Sequence, residues 1–225
     1  MHSIMTPTDS RDYKLIDVFT GAADTDLQGL APTYCVTSSA TWVCSASGVN
    51  VYELDGSHGL RRNVAMTDAS DIAKIGPIGT GLTASGTFYI GSSGDRLQVI
   101  VRCSSDAPTL DGDGLAETTF EGITMDIREN GGNLQVRAGR YDAGVLTTYT
   151  MDNGADSWNN LVGISTPYTA EFLVQDNGDS LTIAVPGYIN TWTLSESVKD
   201  LYATNTYLAL NINDDPAILT KLKVW

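Results

Sequence analysis

Histidine and cysteine are scarce in this sequence, and their scarcity narrows the chemistry that it supports. The 225 residues include two histidines and three cysteines. A zinc site needs several nitrogen or sulfur ligands at regular spacing, and neither residue type shows such spacing. A Ser-His-Asp or Cys-His site would have to use His58, and no Gly-x-Ser-x-Gly motif precedes a helix. The sequence therefore argues against both kinds of site.

The three cysteines form an odd set without a disulfide framework. A bridge between Cys35 and Cys44 across a hairpin is geometrically conceivable, and it would leave Cys103 unpaired. Cys103 alternates in phase with Leu97 and Val99, which predicts a small buried residue.

Basic residues are also few, with 13 Lys and Arg against 27 Asp and Glu, for a formal charge of −14. Binding to a phosphate backbone depends on cationic side chains that release counterions, so we predict no nucleic-acid partner. No apolar run approaches the length that crosses a bilayer, which predicts no membrane insertion. Residues 1–9 lack the basic start and apolar run of a signal peptide, which predicts a soluble protein made in the cytoplasm.

Strand patterns are abundant, and the clearest is the segment Ala170–Gly187. Alternate residues in both of its halves are apolar, as expected for two strands that each bury one face. Between the halves, Asn177-Gly178 supplies the positive backbone angles of a tight hairpin turn. The segment therefore predicts a β-hairpin.

Similar strand signals continue from residue 14 to the last residue, separated by turns rich in Gly, Asn and Asp. About a dozen short strands without helices can bury one face each only if two sheets stack. The prediction is an all-β fold, a two-sheet antiparallel jelly-roll β-sandwich with little or no helix. Besides the hairpin, the predicted strands are Leu15–Phe19, Val49–Leu54, Leu60–Met66, Gly86–Ile90, Arg96–Cys103, Gly122–Arg128, Leu134–Tyr141, Val145–Met151, Ile189–Leu194, Tyr207–Asn213 and Ile218–Trp225.

The domain organisation follows from composition. Residues 1–13 are polar and contain Pro7, which predicts an N-terminal arm outside the core. No linker or shift in composition divides the remainder, so residues 14–225 are predicted to form a single domain.

Four segments resemble the concanavalin A-like lectin/glucanase (LamG-like) jelly-roll superfamily. They are Asp17-Val-Phe19, Val99-Ile-Val-Arg102, the hairpin from Val174 to Gly187, and Leu222-Lys-Val224. The resemblance runs in order over residues 95–225 and is vaguer before them. It implies two curved antiparallel sheets, with any ligand on the concave sheet or on the loops at its rim.

Glycoside hydrolases of this fold carry paired carboxylates in a motif that resembles Glu-x-Asp-x-x-Glu, since one acts as nucleophile and another as proton donor. The nearest match is Thr124-Met-Asp126-Ile-Arg-Glu129. Thr124 replaces the nucleophile, and Glu129 falls out of phase with Asp126 unless a bulge intervenes. We therefore predict a protein that is not an enzyme, with Asp126 and Arg128 on a solvated face of the strand, opposite its apolar residues.

An acidic, glycine-rich loop offers oxygen ligands for a metal ion. Asp111, Asp113 and Glu117 could wrap a calcium ion, although the loop lacks the full spacing of a helix-flanked calcium site. The alternative is an ordinary exposed turn, because Asp-Gly pairs form turns readily. Calcium is the only cofactor that the sequence suggests.

Aromatic residues near polar loops are candidates for stacking on a sugar. Trp158 lies in a polar loop, where a large apolar ring is costly unless it packs or binds, and its alternative role is to cap one end of the core. Tyr141 and Tyr168 are predicted to flank similar rims.

Arginines supply the polar candidates for carbohydrate binding. Arg102, Arg128 and Arg137 are predicted to face away from the apolar sides of their strands. There they would hydrogen-bond an acidic glycan or pair with Asp126 and Glu121 as cross-strand neighbours.

The resemblance also suggests a function. Free-standing domains of this kind often belong to bacteriophage virions, as capsid decorations, head fibres or tail-fibre modules. We therefore predict a structural protein on the virion surface, with other virion proteins or itself as partners and host surface polysaccharide as a further contact. The alternatives are a stand-alone extracellular carbohydrate-binding module, and a divergent glycoside hydrolase or lyase.

Overall fold

The computed structural model describes residues 11–44, 51–63, 72–104, 120–142, 145–148, 158–194, 199–213 and 216–225. Within these ranges every regular element is a β-strand, and the strands form two antiparallel sheets. The sheets stack face to face, because the alternating strands of each carry one apolar face that must leave water. The all-β sandwich predicted from the sequence is confirmed.

The first sheet has nine strands. Seven form its main path, and the other two, which pair with each other, lie beside it. Across the sheet, the strands are β15 (Tyr188–Thr193), β14 (Ser180–Val185), β13 (Tyr168–Asp176), β7 (Thr83–Ile90), β17 (Ile218–Val224), β1 (Leu15–Asp17) and β2 (Tyr34–Cys35), with β5 (Leu60–Arg62) and β4 (Tyr52–Leu54) beside them.

The second sheet has eight strands, of which seven form its main path and one lies beside it. Its strands are, in order, β11 (Val145–Thr148), β10 (Asn133–Asp142), β9 (Gly122–Asn130), β8 (Arg96–Cys103), β16 (Tyr207–Asn213), β6 (Ala73–Ile75) and β3 (Val43–Cys44), with β12 (Asn159–Gly163) against β10.

One apolar core fills the space between the sheets. The second sheet contributes alternate residues such as Leu97, Met125 and Val136, and the first sheet contributes Phe172 and Ile183, all essentially buried. Burial of each such side chain contributes about 1.5–3 kcal/mol. The residues between them on the second sheet therefore point away from the core, and they form the face considered below.

The predicted hairpin is present as β13 and β14. The Asn177 backbone N–H donates to the Ser180 carbonyl oxygen at 2.9 Å. Gly178 has a φ of +87° and is the residue of this turn in the left-handed region. The glycine alone, without the asparagine, therefore supplies the unusual backbone angle.

A bulge at the end of β8 corrects two expectations. Residues 207 and 209 of β16 oppose Cys103 and Ile100, so β8 carries one extra residue, and Arg102 adopts a φ of +54°. Cys103 is fully buried as predicted, but it packs beside Ile100 on the outer side, away from Leu97. Arg102 in turn reaches Asp176 of the first sheet instead of facing outward. The prediction from alternation is wrong here, because a bulge turns the side chains beyond it to the opposite face of the strand.

Short strands were missed by the sequence analysis, namely β2, β3, β6 and β12, of which the first three have two or three residues each. Such lengths carry too few alternations to be recognised. All three cysteines are free, so the conceivable bridge between Cys35 and Cys44 is absent. The described part of the chain also contains no helix with the length and apolar character needed to cross a membrane.

The N-terminal arm was predicted for residues 1–13, of which 11–13 are described. The Arg11 guanidinium lies 4.1 Å from the ring centroid of Trp225, and the Tyr13 ring meets the same indole edge to face at 6.0 Å. These contacts hold the start of the described chain against its last residue.

Candidate functional site: a polar face on the second sheet

The outward side of β8, β9, β10 and β12 carries two rows of polar residues in register. We call this outward surface the polar face. Cross-strand pairing places Arg96, Arg128, Gln135 and Asn160 in one row across four strands. The neighbouring row contains Gln98, Asp126 and Arg137, with Trp158 just before β12. At about 4.8 Å between strands, a row of four spans roughly 14 Å.

Asp126 is the centre of a hydrogen-bonded network in the second row. It is fully buried and accepts from Arg137 Nε at 2.6 Å and from Gln98 Nε2 at 3.0 and 3.1 Å. The Thr124 hydroxyl also donates to its carboxylate. A buried carboxylate needs such compensation, because an unpaired charge in this position would be strongly unfavourable. The sequence placed Asp126 on a solvated strand, whereas the fold buries it.

Trp158 stacks on the guanidinium groups of Arg128 and Arg137, and Arg137 belongs to the hydrogen-bonded network of Asp126. The guanidinium carbon of Arg128 lies 3.8 Å from the centroid of the indole, and that of Arg137 lies 4.3 Å from it. Trp158 is half-buried, so part of the indole remains exposed at the polar face. Cation–π contacts on both arginines orient the ring, so the sequence-predicted stacking residue is held in place.

Arg96 and Arg128 stand directly opposite each other on β8 and β9. Arg128 donates from Nε to Gln135 Oε1 at 2.8 Å, and Arg96 donates from Nη2 to Gln98 Oε1 at 3.3 Å. Both acceptors are neutral. Desolvation, followed by the charges of Arg137 and Arg96, lowers the pKa of the Arg128 guanidinium from its ordinary value, and Asp126 opposes the change. The pair is therefore a site of excess positive potential.

Tyr141 closes the end of the face near the start of β9. Its hydroxyl donates to Gln98 Oε1 at 3.3 Å, and its ring meets Phe120 edge to face at 5.4 Å. Burial, followed by the charge of Asp126, raises the pKa of this phenol. Tyr141 therefore stays protonated and acts as a hydrogen-bond donor on this face.

The hydrolase-like motif is divided between the two sides of β9. Thr124 and Asp126 lie on the polar face, whereas Glu129 is buried on the opposite side and accepts from the Gly132 backbone N–H at 2.6 Å. The alternation of the strand continues through this segment without a bulge in its pairing to β10. The separation of Asp126 and Glu129 expected from the sequence is therefore present.

Four of the six carbohydrate-binding candidates come together here, namely Trp158, Tyr141, Asp126 and Arg128. Arg102 does not join them, because it lies at the end of the sandwich in an ion pair with Asp176. Tyr168 belongs to the first sheet, pairs with Ile90 and packs on the main core.

The predicted calcium ligands Asp111, Asp113 and Glu117 lie outside the described residues. In the part of the chain that the structure describes, no group of three His, Cys, Asp or Glu side chains is arranged to hold a metal ion.

Several residues of the face had no distinct signal in the sequence. Gln98 and Gln135 are ordinary strand residues until the register places them beside Asp126 and Arg128. Gln135 Nε2 also donates to Asn160 Oδ1 at 2.6 Å, although β12 itself was not predicted. Alternation along each strand predicted that these side chains point outward. It could not predict which residues lie beside them on the neighbouring strands.

Comparisons with known proteins agree with the fold. No family of known proteins matches the sequence, and no curated protein does. The carbohydrate recognition domain of Emp46p, in a metal-free form, superposes with a TM-score of 0.50 at 13% identity, covering 90% of this chain and 95% of that domain.

Two further structures are similar at lower scores. A glycosyl hydrolase family protein from Mycobacterium fortuitum gives a TM-score of 0.46 at 13% identity, with 96% and 100% of the two chains covered. The carbohydrate-binding module CBM66 from Bacillus subtilis gives 0.44 at 11% identity, with 71% and 80% covered. At these identities the likeness concerns the lectin-like jelly-roll fold alone.

Proposed function

We propose that this protein is a glycan-binding module and that the polar face of the second sheet is its binding surface. The observation that carries the proposal is the indole of Trp158, which is fixed over Arg128 and Arg137 beside a network of amide and carboxylate groups. Sugar rings present one apolar side and several hydroxyls. An oriented aromatic ring next to hydrogen-bonding side chains suits both features.

The geometry favours binding over hydrolysis. A retaining or inverting glycosidase needs two carboxylates that flank one bond. In β9 the carboxylates of the motif point to opposite sides, and Thr124 stands in the position of the nucleophile. The Asp126 carboxylate already accepts hydrogen bonds from Arg137, Gln98 and Thr124. It is therefore suited to position these side chains in the binding face.

The test is retention of the purified protein on a panel of immobilised neutral and acidic polysaccharides, with an assay for released sugar ends. We expect retention without release, and a loss of affinity of about tenfold or more in Trp158→Ala, because burial of a large apolar side chain contributes about 1.5–3 kcal/mol.

Trp225→Ala is the matched control, because this tryptophan also stacks on an arginine, Arg11, but lies after β17 in the first sheet. Its affinity should equal that of the wild type. Equal retention of Trp158→Ala and wild type would contradict the proposed surface, and released sugar ends would support the hydrolase or lyase alternative instead.

The role on a virion surface remains a prediction that rests on the family resemblance. A glycan-binding module suits such a position, where it would contact host polysaccharide. Detection of the chain in purified particles of its source would support that role, and its absence from them would contradict it.

A further inference from the structure

The arginines of the polar face differ in how their charge is compensated. Arg137 forms an ion pair with Asp126, and its side chain is 13% exposed. Arg96 and Arg128 have no carboxylate partner among the described residues, where their hydrogen-bond acceptors are the neutral oxygens of Gln98 and Gln135. Two like charges directly opposite each other on adjacent strands are unfavourable unless another group compensates them.

Arg96 has a second unusual feature. Its Nε is buried and has no hydrogen-bond partner among the residues that the structure describes. A buried donor without a partner costs about 1–3 kcal/mol. The Arg96 and Arg128 guanidiniums thus form a half-buried cationic site with unused donors, next to the ring of Trp158.

Resting on the proposed function, we propose that the ligand is an acidic glycan and that Arg96 and Arg128 together bind its anionic group, a carboxylate or a sulfate. A guanidinium presents parallel N–H donors that match the two oxygens of such a group, with stronger hydrogen bonds than neutral partners make. Trp158, beside Arg128, would take the sugar ring that carries the anion.

The negative net charge of the protein means that binding of an acidic glycan would have to come from this arginine pair. At −14, the chain repels a polyanion at long range, so unspecific attraction does not explain binding of an acidic polysaccharide. At 0.15 M salt, charges beyond about 8 Å are largely screened, and the local arginine pair then determines the interaction.

The experiment measures affinity at this ionic strength for pairs of probes that share one sugar backbone and differ chiefly in charge. Polygalacturonate and alginate are compared with their carboxyl esters, and dextran sulfate is compared with dextran. The proteins are the wild type, Arg96→Gln, Arg128→Gln and the control Lys221→Gln, which removes the same charge from an exposed position of β17 in the first sheet.

We expect the wild type to bind at least one acidic probe and to lose that binding when the acid is esterified or the sulfate is absent. Each arginine variant should bind about ten- to a hundredfold more weakly, because each removes a charged hydrogen-bond donor. Lys221→Gln should match the wild type. Preference for the uronates or for the sulfated probe identifies the anion.

Three outcomes would overturn the inference. Equal binding of neutral and acidic probes, unaffected in the arginine variants, would overturn it while leaving the proposed glycan-binding function intact. An equal loss in Lys221→Gln would indicate unspecific attraction of polyanions. Failure of the wild type to bind any probe, neutral or acidic, would contradict the proposed function as well.

Discussion

Two buried arginine–aspartate pairs in this protein have different surroundings. Arg102 holds Asp176 with two hydrogen bonds, Nε to Oδ2 at 2.7 Å and Nη2 to Oδ1 at 2.6 Å, and its other N–H groups donate to the carbonyls of Lys199, Leu201 and Gly178. Arg137 reaches Asp126 through Nε alone. In the first pair every arginine donor has an acceptor, whereas in the second the Arg137 Nη groups have no acceptor in the described part of the chain.

The first ion pair has a structural role, whereas the second belongs to the surface that we propose for glycan binding. Arg102 of β8 and Asp176 of β13 join the two sheets, and their side chains are 4% and 2% exposed. Arg137 and Asp126 lie within one sheet, beneath Trp158. A pair with all its hydrogen bonds made can stabilise the fold but has nothing to offer a ligand. A pair with spare donors beside an aromatic ring can do both.

The largest effect is expected from Arg102→Met. It leaves the Asp176 carboxylate buried without its partner, which should lower the free energy of unfolding by about 3–5 kcal/mol. Urea denaturation measures this change. The double variant Arg102→Met/Asp176→Leu should recover much of the loss, since it removes both charges. A loss below about 1 kcal/mol in the single variant would show that the pair has no structural role.

A smaller effect is expected from Arg137→Met. Asp126 would keep the hydrogen bonds from Gln98 and Thr124. The free energy of unfolding should therefore fall by about 2 kcal/mol, a value typical of one hydrogen bond to a charged group. The same denaturation assay compares it directly with Arg102→Met. If the two variants lost the same stability, the contrast between the pairs would be wrong.

The smallest effect concerns Asp17, a buried carboxylate whose hydrogen-bond partners in the described part of the chain are neutral. Trp42 Nε1 donates to its Oδ2 at 2.7 Å, and the Phe19 N–H donates to Oδ1 at 2.9 Å. Desolvation raises the pKa of this carboxyl, and the hydrogen bonds from Phe19, Trp42 and Thr33 only partly oppose the change. The folded protein therefore binds the Asp17 proton more tightly than the unfolded chain does.

The sign of the pH dependence follows from that difference. The contribution of Asp17 to stability is greatest below its unfolded pKa of about 3.9 and decreases as the pH rises through the folded pKa. Carboxyl-carbon NMR should give a midpoint above the ordinary value. A midpoint at or below it would contradict the prediction and would place Asp17 with the charge-compensated aspartates.

Alternation in the sequence was sufficient to identify the sandwich, because a strand with one apolar face must bury that face against a second layer. It also predicted that Asp126 lies on one face of β9 and that Met125 and Glu129 lie on the other face, as the structure has them. Trp158, Tyr141, Asp126 and Arg128 were recognised as candidates from residue type and context. These predictions depend on local information alone, namely the period of the strand and the chemistry of the side chain.

The tertiary structure alone decided which of those candidates meet. The register of β8, β9 and β10 places Arg96 opposite Arg128, and the pairing of β12 with β10 brings Trp158 over both Arg128 and Arg137. One extra residue in β8 turns Arg102 away from them and towards Asp176. Register and bulges depend on contacts between segments distant in the chain, so no local pattern could have revealed them.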